Sequence, residues 1–205
     1  VMKNHTDHHH EEMPVEYLYK TMAQTLSSAD YIFKQSRLRP TSTSYPNTEL
    51  GTGLKTIASL IFSDINTKVY YISLGSFDTH VGQNAQQTRL FTQLDEAVKA
   101  FTGDLKKNGR MEDVLLFTFS EFGRRVAQNA SNGTDHGTAN NMFLISGGLK
   151  QKGILNALPD LTDLKDGDLQ YKIDFKEVYS TVLSKWLQAD ADTILGAKYN
   201  TLNFI

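Results

Sequence analysis

Residues 69–80, VYYISLGSFDTH, decide how this chain is read. Val69-Tyr70-Tyr71-Ile72-Ser73-Leu74 is β-branched, aromatic and nearly continuous in apolarity. Such a run predicts a strand covered on both faces, the usual state in a parallel sheet. Gly75 ends it, and Asp78-Thr79-His80 follows. The pattern recurs downstream. Val114 to Phe119 predicts a second buried strand, followed directly by Ser120-Glu121-Phe122-Gly123-Arg124-Arg125. A third run, Met142-Phe143-Leu144-Ile145, is preceded by a long polar loop carrying Thr134-Asp135-His136-Gly137.

Between the first two runs, Leu90, Leu94, Ala97, Val98, Phe101 and Leu105 fall on one helical face. Lys106, Lys107, Asn108 and Gly109 give that helix, over residues 83–107, a basic last turn and a glycine stop. A helix after Thr48, with Leu54, Ile57, Ala58, Leu60 and Ile61, precedes the first run. Helices alternate with strands, and the connections are long enough for parallel crossovers. The expected class is therefore α/β, a layered and mostly parallel sheet.

Working outward, residues 1–13 read as a polar leader, expected to be disordered, and 14–205 as one α/β domain. His5, His8, His9 and His10 fall in the leader and are assigned no role. The chain opens Val1-Met2-Lys3, and the expectation is the C-terminal part of a longer protein. Pro14 suits a helix start. Val15, Leu18, Met22, Leu26, Ala29 and Phe33 then form a stripe expected to be core. Residues 37–47, RLRPTSTSYPN, read as a loop. Asp166-Gly167-Asp168 suggests a hairpin. Asp174 with Glu177 suggests a capped helix burying Phe175, Val178, Tyr179, Val182, Leu183 and Trp186, and Asp192 a last short turn.

Composition narrows the functions. A chain of 205 residues with 40% hydrophobic residues can build an ordinary core. The net charge is −2, with no basic block, so no nucleic-acid partner is expected. No apolar run approaches ~20 residues, so no membrane span is expected. There is no cysteine, which leaves any metal to histidine and carboxylate.

Of the six histidines, the two outside the leader, His80 and His136, both sit in the polar clusters. Ligands in open α/β sheets lie beyond the carboxyl ends of the strands. The Asp78 and Ser120 clusters follow strands and so share an edge. The His136 cluster joins them only if residues 142–145 return antiparallel. If the three meet, they offer Asp78, His80, Glu121, Asp135 and His136, the ligand types of zinc, manganese or iron. Arg124 and Arg125 could hold an oxyanion. The chemistry indicated is hydrolysis or transfer of a small anionic ester. Each cluster also has a plain reading, as a turn former, a cap or a solvated ion pair.

The blocks SFDTH, TFSEFGRR and NGTDHGTANNMFLISGG resemble the DUF1501 family, bacterial proteins of unknown function. The likeness continues through DLKDGDLQYKIDFKEVYSTVLSKWL and LGAKYNTL and covers roughly residues 50–205. DUF1501 proteins are in turn similar to the alkaline phosphatase and sulfatase superfamily. That resemblance implies a three-layer α/β/α sandwich whose mostly parallel sheet has at least one antiparallel strand. It implies Asp78, His80 and His136 as metal ligands, and the hydrolase reading adds Glu121 to them as ligands of a divalent metal, zinc or manganese. The same hydrolase reading takes Ser120 as a polar helper and Arg124 as the oxyanion contact. The resemblance also implies a periplasmic or cell-envelope setting. Ser120-Glu121 stands where active members of the superfamily carry Asp-His, and the segment bearing their nucleophile is not found here. Two functions therefore stay open: a metal-dependent hydrolase of phosphate or sulfate esters, and a non-catalytic binding or scaffold protein on a degenerate hydrolase fold.

Overall fold

The computed structural model describes residues 9–205, with side chains from residue 15 onward. The histidines of the leader thus lie outside the described side chains. Helix α1 spans His9–Gln35, α2 Glu49–Phe62 and α3 Gln83–Lys107. Strands β1 (Leu116–Phe117), β2 (Gly123–Gln128), β3 (Thr134–Gly137) and β4 (Leu144–Ile145) follow. After β5 (Leu164–Lys165) and β6 (Asp168–Leu169) come α4 (Phe175–Thr181), a π-helical turn at Val182–Trp186, and α5 (Ala191–Leu195).

The expected three-layer sandwich with a mostly parallel sheet is not what forms. Among the described residues the strands pair only as antiparallel two-stranded ribbons: β1 with β4, β2 with β3, and β5 with β6. The decisive run, residues 69–74, is not in a ladder. Among the described residues its backbone has no strand partner. It nevertheless alternates as extended chain does. Tyr70, Ile72 and Leu74 pack against the core, while Val69 and Tyr71 face solvent. The error has a physical source. Continuous apolarity reports burial of side chains, and it says nothing about which backbone supplies the hydrogen bonds.

Side-chain burial itself follows the sequence more closely. Leu50, Leu54, Ala58, Ile61 and Phe62 of α2 pack against Ala97, Phe101 and Leu105 of α3. Residues 114–117 separate this core from a second one around Val178, Val182 and Phe204. Val114 and Leu116 turn to the first core, Leu115 and Phe117 to the second. That alternation is a strand covered on both faces, though only two of its residues are laddered.

Helix ends follow local chemistry. Thr48 caps α2, its Oγ1 accepting from Gly51 N at 3.1 Å. Asp174 caps α4, accepting from Lys176 N at 2.9 Å. The reciprocal half of a capping box is missing, because Glu177 Oε1 accepts from Asn200 instead, at 3.3 Å. Asp190, and not Asp192, caps α5, which stops at the left-handed Gly196. Asp166 and Gly167, with φ of 53° and 85°, make the two-residue turn between β5 and β6.

Two further expectations are corrected. The stripe Val15, Leu18, Met22, Leu26 and Phe33 on α1 is exposed, not core, and Phe175 at the start of α4 is exposed as well. Periodicity identifies the apolar face of a helix without saying what covers it. Loop 37–47 is more firmly tied than its composition suggests. Thr43 Oγ1 and Tyr45 OH donate to Asp104 of α3 at 2.8 and 2.9 Å. Among the described residues no helix is long and apolar enough to cross a membrane.

Candidate metal centre

The centre forms where two pieces of chain meet. The first is the end of the extended run at Asp78-Thr79-His80. Thr79 is fully buried and accepts from Gln87 of α3 at 3.4 Å, fixing the two polar residues beside it. The second is the β2–β3 hairpin, in which His136 is paired with Arg124. The antiparallel return of β4 against β1 follows it.

The hairpin is docked on the first piece through its turn. Gly82 N and Gln83 N donate to Ser131 O and Asn132 O at 3.0 and 2.9 Å. Asn129 Nδ2 donates to His80 O at 3.0 Å, while its Oδ1 accepts from Ser131 N and Gly133 N. Gly133 passes so close that a Cβ there would lie 2.2 Å from the carbonyl carbon of His80. A side chain at 133 therefore pushes the hairpin off the Asp-Thr-His segment. We expect Gly133→Ala to cost on the order of 2 kcal/mol, the cost of overpacking. Urea unfolding measures it, and an unchanged midpoint would show that the close approach does not matter.

Three side chains converge on one oxygen. Asp78 Oδ1 lies 2.7 Å from His136 Nε2, 2.9 Å from His80 Nε2 and 3.1 Å from Arg124 Nη2. The imidazole rings are 5.0 Å apart, and His136 stacks on Phe122 at 3.9 Å with planes 6° apart. Asp78, His80 and His136 are about half exposed, so the cluster opens to solvent. The bond from His136, then the charge of His80 and the bond from Arg124, hold the Asp78 carboxyl below the usual carboxylate range. A depressed carboxyl contributes stability above its unfolded value, about 3.9, and loses it as pH falls through the lower folded value. In denaturant melts of metal-free protein, wild type and Asp78→Asn should differ above about pH 4 and converge below it. A constant difference at every pH would contradict this.

The residues singled out from sequence fare differently. Asp78, His80 and His136 each offer a ligand atom, and these atoms lie within 4.8 Å of one another. Glu121 is exposed and lies outside that group. Ser120 donates its hydroxyl to Phe122 O at 2.7 Å. Arg124 is largely buried, its guanidinium bound to the carbonyls of Thr134 (2.7 Å) and Phe77 (2.5 Å) as well as to Asp78. Only its Nε lacks a partner. Arg125 lies 3.2 Å from Asp168. Arg124 thus acts first as a tie between the two pieces of chain. Sequence reading missed Asn129 and Phe122. The Asn132-Gly133 pair was a legible turn signal, but nothing local marks an asparagine that bonds to a residue 49 positions away.

The donor set fits a divalent cation. Two imidazole nitrogens and a carboxylate oxygen are ordinary ligands for zinc or manganese, and here they lie within 4.8 Å of one another. Family comparison agrees with the motifs. Residues 18–195 match the proteins of unknown function termed DUF1501. The chain belongs to the DUF1501 family. Among curated proteins and among solved structures, nothing matches the chain. In this DUF1501 chain the matched region contains α2, α3, every strand and the whole Asp78-His80-His136 cluster.

Proposed function

We propose that this DUF1501 chain binds one divalent cation, zinc or manganese, through Asp78, His80 and His136, and hydrolyses small phosphate or sulfate esters. The observation that carries the reading is the approach of those three ligand atoms to within 4.8 Å at a solvent-open surface. When bound, such an ion acts as a Lewis acid toward an ester oxygen or a water. The chain's own groups do the rest. Asp78 supplies the anionic ligand. The Arg124 guanidinium, 3.1 Å from Asp78, keeps local charge balanced and holds the hairpin that presents His136. Phe122 fixes the plane of the His136 ring. The exposed side of the cluster leaves room for substrate. The periplasm or cell envelope is the proposed setting, on the family likeness.

A second reading, a binding protein without catalysis, is favoured by Ser120. Its hydroxyl is engaged by Phe122 O, and Glu121 stands outside the ligand group. One experiment separates the two. Metal content is measured on protein purified without chelator, and p-nitrophenyl phosphate and sulfate are assayed with added zinc or manganese. The hydrolase reading expects bound metal and turnover, both lost in His136→Ala. Bound metal without turnover leaves the binding reading. Absence of both overturns the metal centre.

A further inference from the structure

His80 and His136 are oriented by different means. His136 has Phe122 against its ring face. His80 has a second carboxylate on its far side: Asp135 Oδ1 lies 3.4 Å from His80 Nδ1, while Nε2 faces Asp78. We propose that Asp135, held in place by Asn129, is a positioning residue that prepares His80 to bind a cation. The inference rests on the metal-centre reading above.

The argument is one of tautomers. A neutral imidazole carries one proton on either ring nitrogen, and the protonated nitrogen cannot ligate. His80 can offer Nε2 toward the Asp78 cluster only with its proton on Nδ1. That proton needs an acceptor, and Asp135 Oδ1, 3.4 Å from Nδ1, is the carboxylate oxygen within reach of it. Metal-binding histidines commonly donate their second nitrogen to a carboxylate in this way, which fixes the ring and raises its basicity.

The placement of Asp135 is built from the fold. Asn129 Nδ2 lies 3.5 Å from Asp135 Oδ1 and 3.0 Å from the carbonyl of His80. The same amide therefore spans the ligand's backbone and the group that orients its ring. Asn129 Oδ1 in turn caps Ser131 N and Gly133 N at 2.9 and 3.0 Å, closing the turn before Asp135. Because Asp135 is more than half exposed, its removal leaves no buried group unsatisfied. A merely structural role would predict little effect anywhere, since exposed pairs contribute little to stability.

The test titrates zinc into the 205-residue chain by calorimetry and follows the His80 ring by nitrogen-15 NMR. Asp135→Ala should weaken zinc binding 10- to 100-fold while leaving the zinc-free melting temperature unchanged. Zinc-loaded wild type should show a protected His80 Nδ1 proton that is lost in Asp135→Ala. Asp135→Asn keeps an oxygen acceptor and should recover part of the affinity. Wild-type affinity in Asp135→Ala, with binding still lost in His80→Ala and His136→Ala, would overturn the positioning role alone. Failure of wild type to bind zinc would overturn the metal centre itself.

Discussion

Asp78→Asn should reduce zinc affinity by more than about 100-fold, beyond the range that outer partners such as Asp135 command. The substitution keeps shape and volume and removes charge. Asp78 Oδ1 is hydrogen-bonded to His136 and Arg124 and lies 2.9 Å from His80 Nε2, so the loss acts on all three at once. In the proposed centre the carboxylate is the anionic member of the ligand set, and a neutral amide oxygen is a weaker ligand for a hard cation. Arg124 is then left largely buried without its charge partner, although the carbonyls of Phe77 and Thr134 still hold it. The fold should therefore survive, as checked by circular dichroism. Calorimetric zinc titration gives the affinity, and a loss smaller than tenfold would mean that Asp78 is not a ligand.

The largest effect on stability is expected far from that cluster. Asp104 is 1% exposed and accepts from Thr43, Tyr45 and the Asn108 amide at 2.8, 2.9 and 3.1 Å. Burial first, and then the bond to Asp104, push the Tyr45 phenol above its ordinary range, so it remains a donor. Asp104→Ala strands the Thr43 and Tyr45 hydroxyls, while Asn108 keeps the backbone carbonyl of residue 104 at 2.9 Å, and it unties loop 37–47 from α3. We expect a loss of about 3 kcal/mol, at one or more per unsatisfied group. Asp104→Asn retains one oxygen and should fall between the alanine variant and wild type. Urea unfolding at neutral pH decides it. A difference under about 0.5 kcal/mol for Asp104→Ala would mean the loop rehydrates without cost.

These two positions show what the sequence could and could not reveal. The Asp78, His80 and His136 cluster was visible because only two of the six histidines lie outside the leader and both sit in polar motifs beside apolar runs. Helix α3 was visible through its unbroken period, and the β5–β6 turn through Asp-Gly. Asp104 was not visible. It lies among the polar residues of an amphipathic helix, and only the approach of Thr43 and Tyr45, about sixty residues away, buries it. The sheet failed for a related reason. Residues 69–74 carry every local mark of a strand, yet pairing depends on where a second backbone lies. Glu121 was chosen by its place in a motif, and it is exposed and outside the group that Asp78, His80 and His136 form. Local chemistry thus announced the groups, and long-range closure determined which of them meet.

That closure carries a consequence for folding. The bond between His136 and Asp78 joins residues 58 apart in the chain, so closing the centre encloses α3 and the following strand in one loop. A cation seated there would act as a reversible cross-link on a long loop, the case in which chain entropy makes a clip most effective. At a free concentration 100 times the dissociation constant, it would add about 2.7 kcal/mol to the folded state by mass action. The melting temperature would then rise with each decade of added metal and fall on chelation. An ion held by these three side chains would then report whether the two halves of the chain have found each other.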